Sequence, residues 1–255
     1  MASPVASSPD LPLPGGLCAI HQPNLFPRLT TLAKLFAADC WIVLDDVQFT
    51  RRDYQHRTRL ASLPDAQDRR WLTIPTHLPH GRRTAIREAL IVEPLRSQRR
   101  TAQILRQYYG ASPHWPAFQQ PLTSLLDLFD TTDRTADLAE ASTRILLNLL
   151  GWTGCVLHSS RLHARTGRSE RLADLAALTG ARSYLCGTGG MSYLNTAPFR
   201  AHGLTVTPFT TPEAALWQTG REASAVQALM QLGCKPLAAT LRAVTAGQSG
   251  PQHAP

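Results

Sequence analysis

Lysine is nearly absent from this chain of 255 residues: Lys34 and Lys235 stand against 24 arginines. Long apolar runs are missing too. None approaches the ~20 residues of a membrane-spanning helix, which excludes a chain threaded through a bilayer by helices. No C-x-x-C pair occurs among Cys18, Cys40, Cys155, Cys186 and Cys234. Their odd number and wide spacing argue against a zinc ribbon or a thioredoxin-type motif, and no metal site is expected. Free thiols of this kind fit a reducing compartment, so a cytoplasmic protein is expected. Met1–Gly16 is rich in Ser and Pro but lacks the basic and continuous apolar segments of a secretory signal. It reads as a disordered leader (1–16), and residues 246–255 read as a disordered tail. The 43 % apolar content suits a globular chain between them. With no repeat and no clear linker, residues 17–245 are expected to form a single domain.

What the chain does have is positive charge in one place. Residues 50–110 carry thirteen arginines against five acids, which is the whole excess of +8; the rest of the chain is balanced. Such a band attracts phosphates, nucleotides or RNA, or is a solvated face. Its position directly after an acidic strand end suggests the wall of a site for a phosphorylated ligand. Only Tyr54 and Trp71 interleave its first part, which weakens a general RNA-binding reading.

Apolar periodicity predicts alternating strands and helices. Strands are expected at Leu17–His21, Trp41–Leu44, Trp71–Pro75, Glu88–Val92, Cys155–His158, Ser183–Cys186 and Leu204–Pro208. Helices are expected at Leu29–Ala38, Ser97–Tyr109, Leu122–Phe129, Thr135–Leu150, Glu170–Leu178 and Ala223–Leu232, with Pro113–Pro121 as a turn. The continuous apolar run Trp41–Leu44 reads as a buried strand of a parallel sheet. The order indicates an α/β, Rossmann-like layered fold with a mostly parallel sheet and additional helices. His21 and Asp45 then fall at the carboxyl ends of neighbouring strands, where open parallel sheets hold ligands.

The candidate chemistry follows from that edge. His21 can act as a general base or donate to an oxyanion. Asp45 and Asp46 can orient and deprotonate an amine, bind a hard cation, or simply form a turn. Gln48 can read an amide or hydroxyl. Arg51, Arg52, Arg57 and Arg59 can grip phosphate bidentately or form a solvated helix face. Gly187, Gly189 and Gly190 follow a strand and let amides approach a phosphate, although neither a P-loop nor G-x-G-x-x-G is present. Cys186 is a nucleophile or, more simply, a small buried residue. Ser159 and Ser160 end another strand, with no triad order around them.

The series His21-Gln22-Pro23-Asn24, Asp45-Asp46-Val47-Gln48-Phe49-Thr50-Arg51-Arg52, Trp71-Leu72-Thr73-Ile74-Pro75, Ser159-Ser160, and Tyr184-Leu185-Cys186-Gly187 through Tyr193-Leu194 resembles the WbqC-like protein family. The resemblance spans about residues 18–235. It adds Gln22, Asn24, Trp71, Tyr184 and Tyr193 to the substrate-contacting set. It implies amide formation by acyl or aminoacyl (glycyl) transfer to an amino sugar or natural-product amine, since such proteins are associated with O-antigen and natural-product gene sets. Arg28, His56, Cys186 and Gln227 depart from the family pattern, while Ser224 keeps it; these changes bear on the substrate more than on the fold. The donor expected is an activated acyl group on tRNA, coenzyme A or a nucleotide, and the partner a small-molecule amine. Two alternatives stand beside this reading. The strand, His-containing turn and helix also resemble the opening of HIGH-type nucleotidyltransferases and adenylate-forming ligases, although the second histidine is missing. A non-catalytic tRNA- or nucleotide-binding protein is the other.

Overall fold

The computed structural model describes residues 16–249. The expected leader lies outside these residues apart from Gly16, as does the end of the expected tail. The chain opens with β1 (Leu17–His21), α1 (Leu29–Phe36) and β2 (Cys40–Val43). An antiparallel hairpin follows, β3 (Arg57–Ala61) with β4 (Arg69–Thr73), then a short pair, β5 (Thr76–His77) with β6 (Leu90–Ile91). Three helices come next: α2 (Pro94–Tyr109), α3 (Trp115–Asp127) and α4 (Thr135–Leu149). The second half continues β7 (Cys155–His158), α5 (Arg168–Ala177), β8 (Ser183–Gly187), α6 (Thr188–Met191), α7 (Ala197–Ala201) and β9 (Thr205–Phe209). It closes with α8 (Ala215–Gly220), α9 (Ala225–Leu232) and α10 (Cys234–Ser249).

Five of the strands form one parallel sheet in the order β7-β2-β1-β8-β9. Pleat alternation sorts their side chains into two cores. Ala19, Trp41 and Val43 pack on one face with α1, whose Leu29, Leu32, Ala33 and Leu35 are buried. Cys18, Ile20, Cys40 and Ile42 pack on the other face with Ala173, Leu175 and Ala176 of α5 and Phe199 of α7. Helices therefore cover both faces, as the apolar run of β2 requires. Pro208, which cannot donate to a ladder, lies on the edge strand β9.

Strand order reverses direction between β1 and β8, since β2 and β7 lie to one side of β1 and β8 and β9 to the other. The β1–β8 pairing is also short. It comprises Leu17↔Ser183 and Cys18↔Tyr184, although β1 runs on to His21 and β8 to Gly187. The two strands part toward their carboxyl ends and leave a cleft at the switch point.

Several expectations need correction. Residues 113–121 are not a turn: α3 begins at Trp115 and runs through Pro121. Pro116 sits in the first turn, where no amide bond is lost. Burial of Phe118, Leu122 and Leu125 offsets the bond that Pro121 cannot make. The expected strand 88–92 is reduced to Leu90–Ile91, because Ile86–Glu88 forms a 3-10 turn. Arg57 and Arg59 belong neither to a loop nor to a helix face but to β3. The expected boundary at 245 falls inside α10, whose Leu237, Ala238, Leu241 and Val244 are buried in the larger core. The expected last helix starts at Ala225, where Ser224 accepts a bond from the Val226 amide.

Candidate functional site

The cleft between β1 and β8 opens into a cavity of about 790 Å³ at the carboxyl edge of the sheet. His21 and Ile20 form its β1 wall, and Tyr184, Cys186 and residues 187–190 its β8 wall. The start of α1 supplies Arg28, Thr30, Thr31 and Lys34, and the segment after β9 supplies Thr210, Glu213 and, further on, Arg221. Ligands of open α/β sheets bind at such switch points.

Lys34 is the unexpected member. It is one of the two lysines, yet it is only 8 % exposed. It rises from α1 into the cleft, where its ammonium donates to the Ile20 carbonyl at 3.4 Å. Among the described residues no carboxylate pairs with it; burial lowers its pKa to about 8, with the Cys186 and Cys18 thiols opposing. His21 Nε2 lies 3.4 Å from Thr31 Oγ1. Burial first, then the Lys34 and Arg28 charges, hold His21 well below the usual imidazole range, so it is neutral near pH 7. Burial pushes the Cys186 thiol up despite nearby Lys34, which disfavours a free thiolate.

The cavity is built for negative charge. Arg28, Lys34 and Arg221 line it against a single described acid, Glu213. Arg28 Nε is buried without a hydrogen-bond partner. Helix α1 begins there with Arg28 as its N-cap and no side-chain cap, so its first amides remain available. The backbone of residues 187–190 lines the opposite side. A Cβ at Gly187 or Gly189 would enter open space, whereas one at Gly190 would meet Cys186 Sγ at 2.7 Å.

The other candidates lie elsewhere. His21 and Asp45 do end neighbouring strands, because β1 and β2 pair in register with His21 opposite Val43. Asp45 and Asp46 nevertheless face β7. Asp45 accepts from the Ser160 amide (3.0 Å), Ser160 Oγ (2.7 Å) and Ser159 Oγ (3.1 Å). Asp46 accepts from Ser159 and from Arg171. Burial raises the Asp46 pKa, but the Ser159 bond and Arg171 outweigh it, and the net shift is downward. These carboxylates tie two strand ends together and do not line the cavity. Among the described residues no group of three or more His, Cys, Asp and Glu is arranged to hold a metal ion.

Gln22 accepts a bond from Gln55. Asn24 is buried, and its carbonyl takes the Ser142 and Thr143 hydroxyls. The next turn holds Phe26 at φ 41°, with its amide on Ser142 Oγ and its carbonyl on Thr58. The His-Gln-Pro-Asn segment is therefore a pinned loop that fixes the entry to α1. Gln48 is exposed. Tyr193 is 66 % exposed, with Arg168 stacked on it.

The arginine band is not the cavity wall. Arg51 and Arg52 lie in an exposed turn, and Arg57 and Arg59 stack on Trp71 on the outer face of the hairpin. The cavity's cations come instead from residues 28, 34 and 221, outside the band. The scarcity of lysine was the one sequence signal for Lys34: in so arginine-rich a chain, a lysine on the apolar side of a helix is conspicuous.

The WbqC-like protein family matches the chain over residues 22–226. The chain belongs to this family. The chain is also 25 % identical over 194 residues to the uncharacterized protein Rv1507c of Mycobacterium tuberculosis (strain ATCC 25618 / H37Rv), covering 75 % of this chain and 80 % of that one. No solved structure matches it. As a WbqC-like protein it contains, among its described residues, no helix long and apolar enough to cross a membrane.

Proposed function

We propose that this WbqC-like protein is a transferase that forms an amide from an activated acyl or aminoacyl donor and a small-molecule amine, with the reaction in the switch-point cavity. The observation that carries the reading is the pairing of buried Lys34 with neutral His21 in the same cationic cavity. The amine attacks the donor carbonyl, and a C–N bond forms as the bond to the leaving oxygen or sulfur breaks. His21 takes the proton that the amine loses and returns it to the leaving group. The Lys34 ammonium faces the carbonyl oxygen as negative charge develops on it. Arg28, Arg221 and the first amides of α1 hold the phosphates of the donor. Asp45 and Asp46 act only by fixing the ends of β2 and β7.

The experiment mixes the purified protein with aminoacyl-tRNA, coenzyme A esters or aminoacyl nucleotides and an amino-sugar nucleotide, and follows the added mass. His21→Ala and Lys34→Met are expected to abolish the product; full activity in both overturns the assignment. The glycine segment 187–190 across the cavity from Arg28 favours a second reading, ATP-dependent ligation. Amine-dependent release of pyrophosphate from ATP would replace the first reading with the second.

A further inference from the structure

The outer face of the β3–β4 hairpin is lined with guanidinium and aromatic groups, held in place where Arg57 donates to the Asp53 and Arg52 carbonyls and Arg69 to the Ala66 carbonyl. Alternation buries Thr58, Leu60 and Leu72 and turns Arg57, Arg59, Arg69 and Trp71 the other way. On that side the Arg57 guanidinium lies 4.4 Å from the Trp71 ring centroid and the Arg59 guanidinium 5.1 Å. The Tyr54 ring is 5.8 Å from Trp71. Arg28 lies 4.6 Å over Tyr54, and Arg28 also lines the cavity. Guanidinium groups thus flank the Tyr54–Trp71 pair on both sides, Arg57 and Arg59 at the hairpin and Arg28 at the cavity. Glu222, next in the chain to the cavity residue Arg221, pairs with both Arg59 and Arg69.

We infer that this row is a track for single-stranded RNA, whose end it presents to the cavity. Unpaired bases stack on aromatic and guanidinium planes without regard to sequence, while arginines take the phosphates between them. A duplex hides those base faces. A mononucleotide fills one step of a row that has several. Tyr54 and Trp71 look sparse along the first part of the basic band, but the fold brings them together with Arg28, Arg57 and Arg59. The inference rests on the transfer reading only for its purpose, because an acyl donor carried on an RNA end is what such a track would supply.

The test is fluorescence anisotropy of a labelled short single-stranded oligoribonucleotide with the full chain. Binding is expected to weaken with salt, with a log–log slope of about −3 if four phosphates are neutralised. Trp71→Ala is expected to weaken it roughly tenfold or more, and Trp71→Phe to retain most of it. Should Trp71→Ala not fold, the Arg57→Gln/Arg59→Gln pair, which leaves the hairpin core intact, decides instead through a lower affinity and a shallower slope. Equal affinity for the matching duplex overturns the inference. So does competition by a mononucleotide at equal concentration, or binding unchanged in these variants. The two readings fail separately. Transfer from a coenzyme A ester without RNA affinity removes the track alone, and RNA affinity without transfer from any donor removes the transferase alone.

Discussion

The Lys34 ammonium donates to the Ile20 carbonyl across 3.4 Å, inside the cleft where β1 has parted from β8. A lysine placed there is a cost to the fold, since no carboxylate among the described residues pairs with it and its pKa falls to about 8. Buried charges that weaken a fold are characteristic of sites that bind or react.

Lys34→Met should therefore stabilise the protein while removing anion binding. Replacing a poorly compensated buried charge with an apolar chain of similar shape is expected to add about 1–2 kcal/mol. Thermal melts at pH 7 check this; a lowered melting temperature would make Lys34 a structural residue.

The same lysine sets a dependence on pH. Unfolded, it holds its proton up to about its ordinary 10.5, and folded only up to about 8. Between those values the unfolded chain binds more protons, so stability rises with pH, and below about 8 this contribution is flat. Urea midpoints across that range should rise in the wild type relative to Lys34→Met. Parallel curves would contradict it.

The lock between β2 and β7 is a separate, structural matter. A double-mutant cycle of Asp45→Asn and Ser160→Ala should give a coupling of about 0.5–3 kcal/mol, because the two side chains bond directly. Asp46 adds stability at pH values above the ordinary carboxylate range, which is lost as pH falls through its depressed folded value. Arg171→Gln should shrink that acid limb.

Gly190 and Gly189 should respond differently. A Cβ at Gly190 meets Cys186 Sγ, so Gly190→Ala is expected to cost about 1–3 kcal/mol and to be relieved by adding Cys186→Ala. Gly189→Ala enters open space, and should leave stability within about 0.5 kcal/mol while lowering ligand affinity.

The sheet was legible because its strands are short apolar runs ending in polar residues, and periodicity needs nothing more. The hairpin was legible only in its second strand, where β4 overlaps the expected Trp71–Pro75; in β3, Arg57, Thr58, Arg59 and Leu60 alternate as a strand does, but with arginine in the outward positions the run reads as a charged surface. Asp45 and Asp46 were legible as a strand end. Their role was not, because the hydroxyls that occupy them come from Ser159 and Ser160, more than a hundred residues away. Lys34 was hidden for a similar reason. The carbonyl it reaches and the imidazole it faces belong to neighbouring residues of β1, Ile20 and His21, and the strand that departs to make room is β8, far along the chain.

Binding of an anionic substrate in the switch-point cavity, beside Lys34, is the proposal on which the rest depends. Two lysines make a direct measurement possible. With lysine labelled at Cε, an NMR titration shows Lys34 beside exposed Lys235 as an internal reference. Lys34 is expected to show a midpoint near 8 that moves upward when inorganic pyrophosphate or a nucleotide is added, with the Lys235 signal unmoved. A Lys34 signal that titrates near the ordinary 10.5 and ignores every phosphate probe would contradict it.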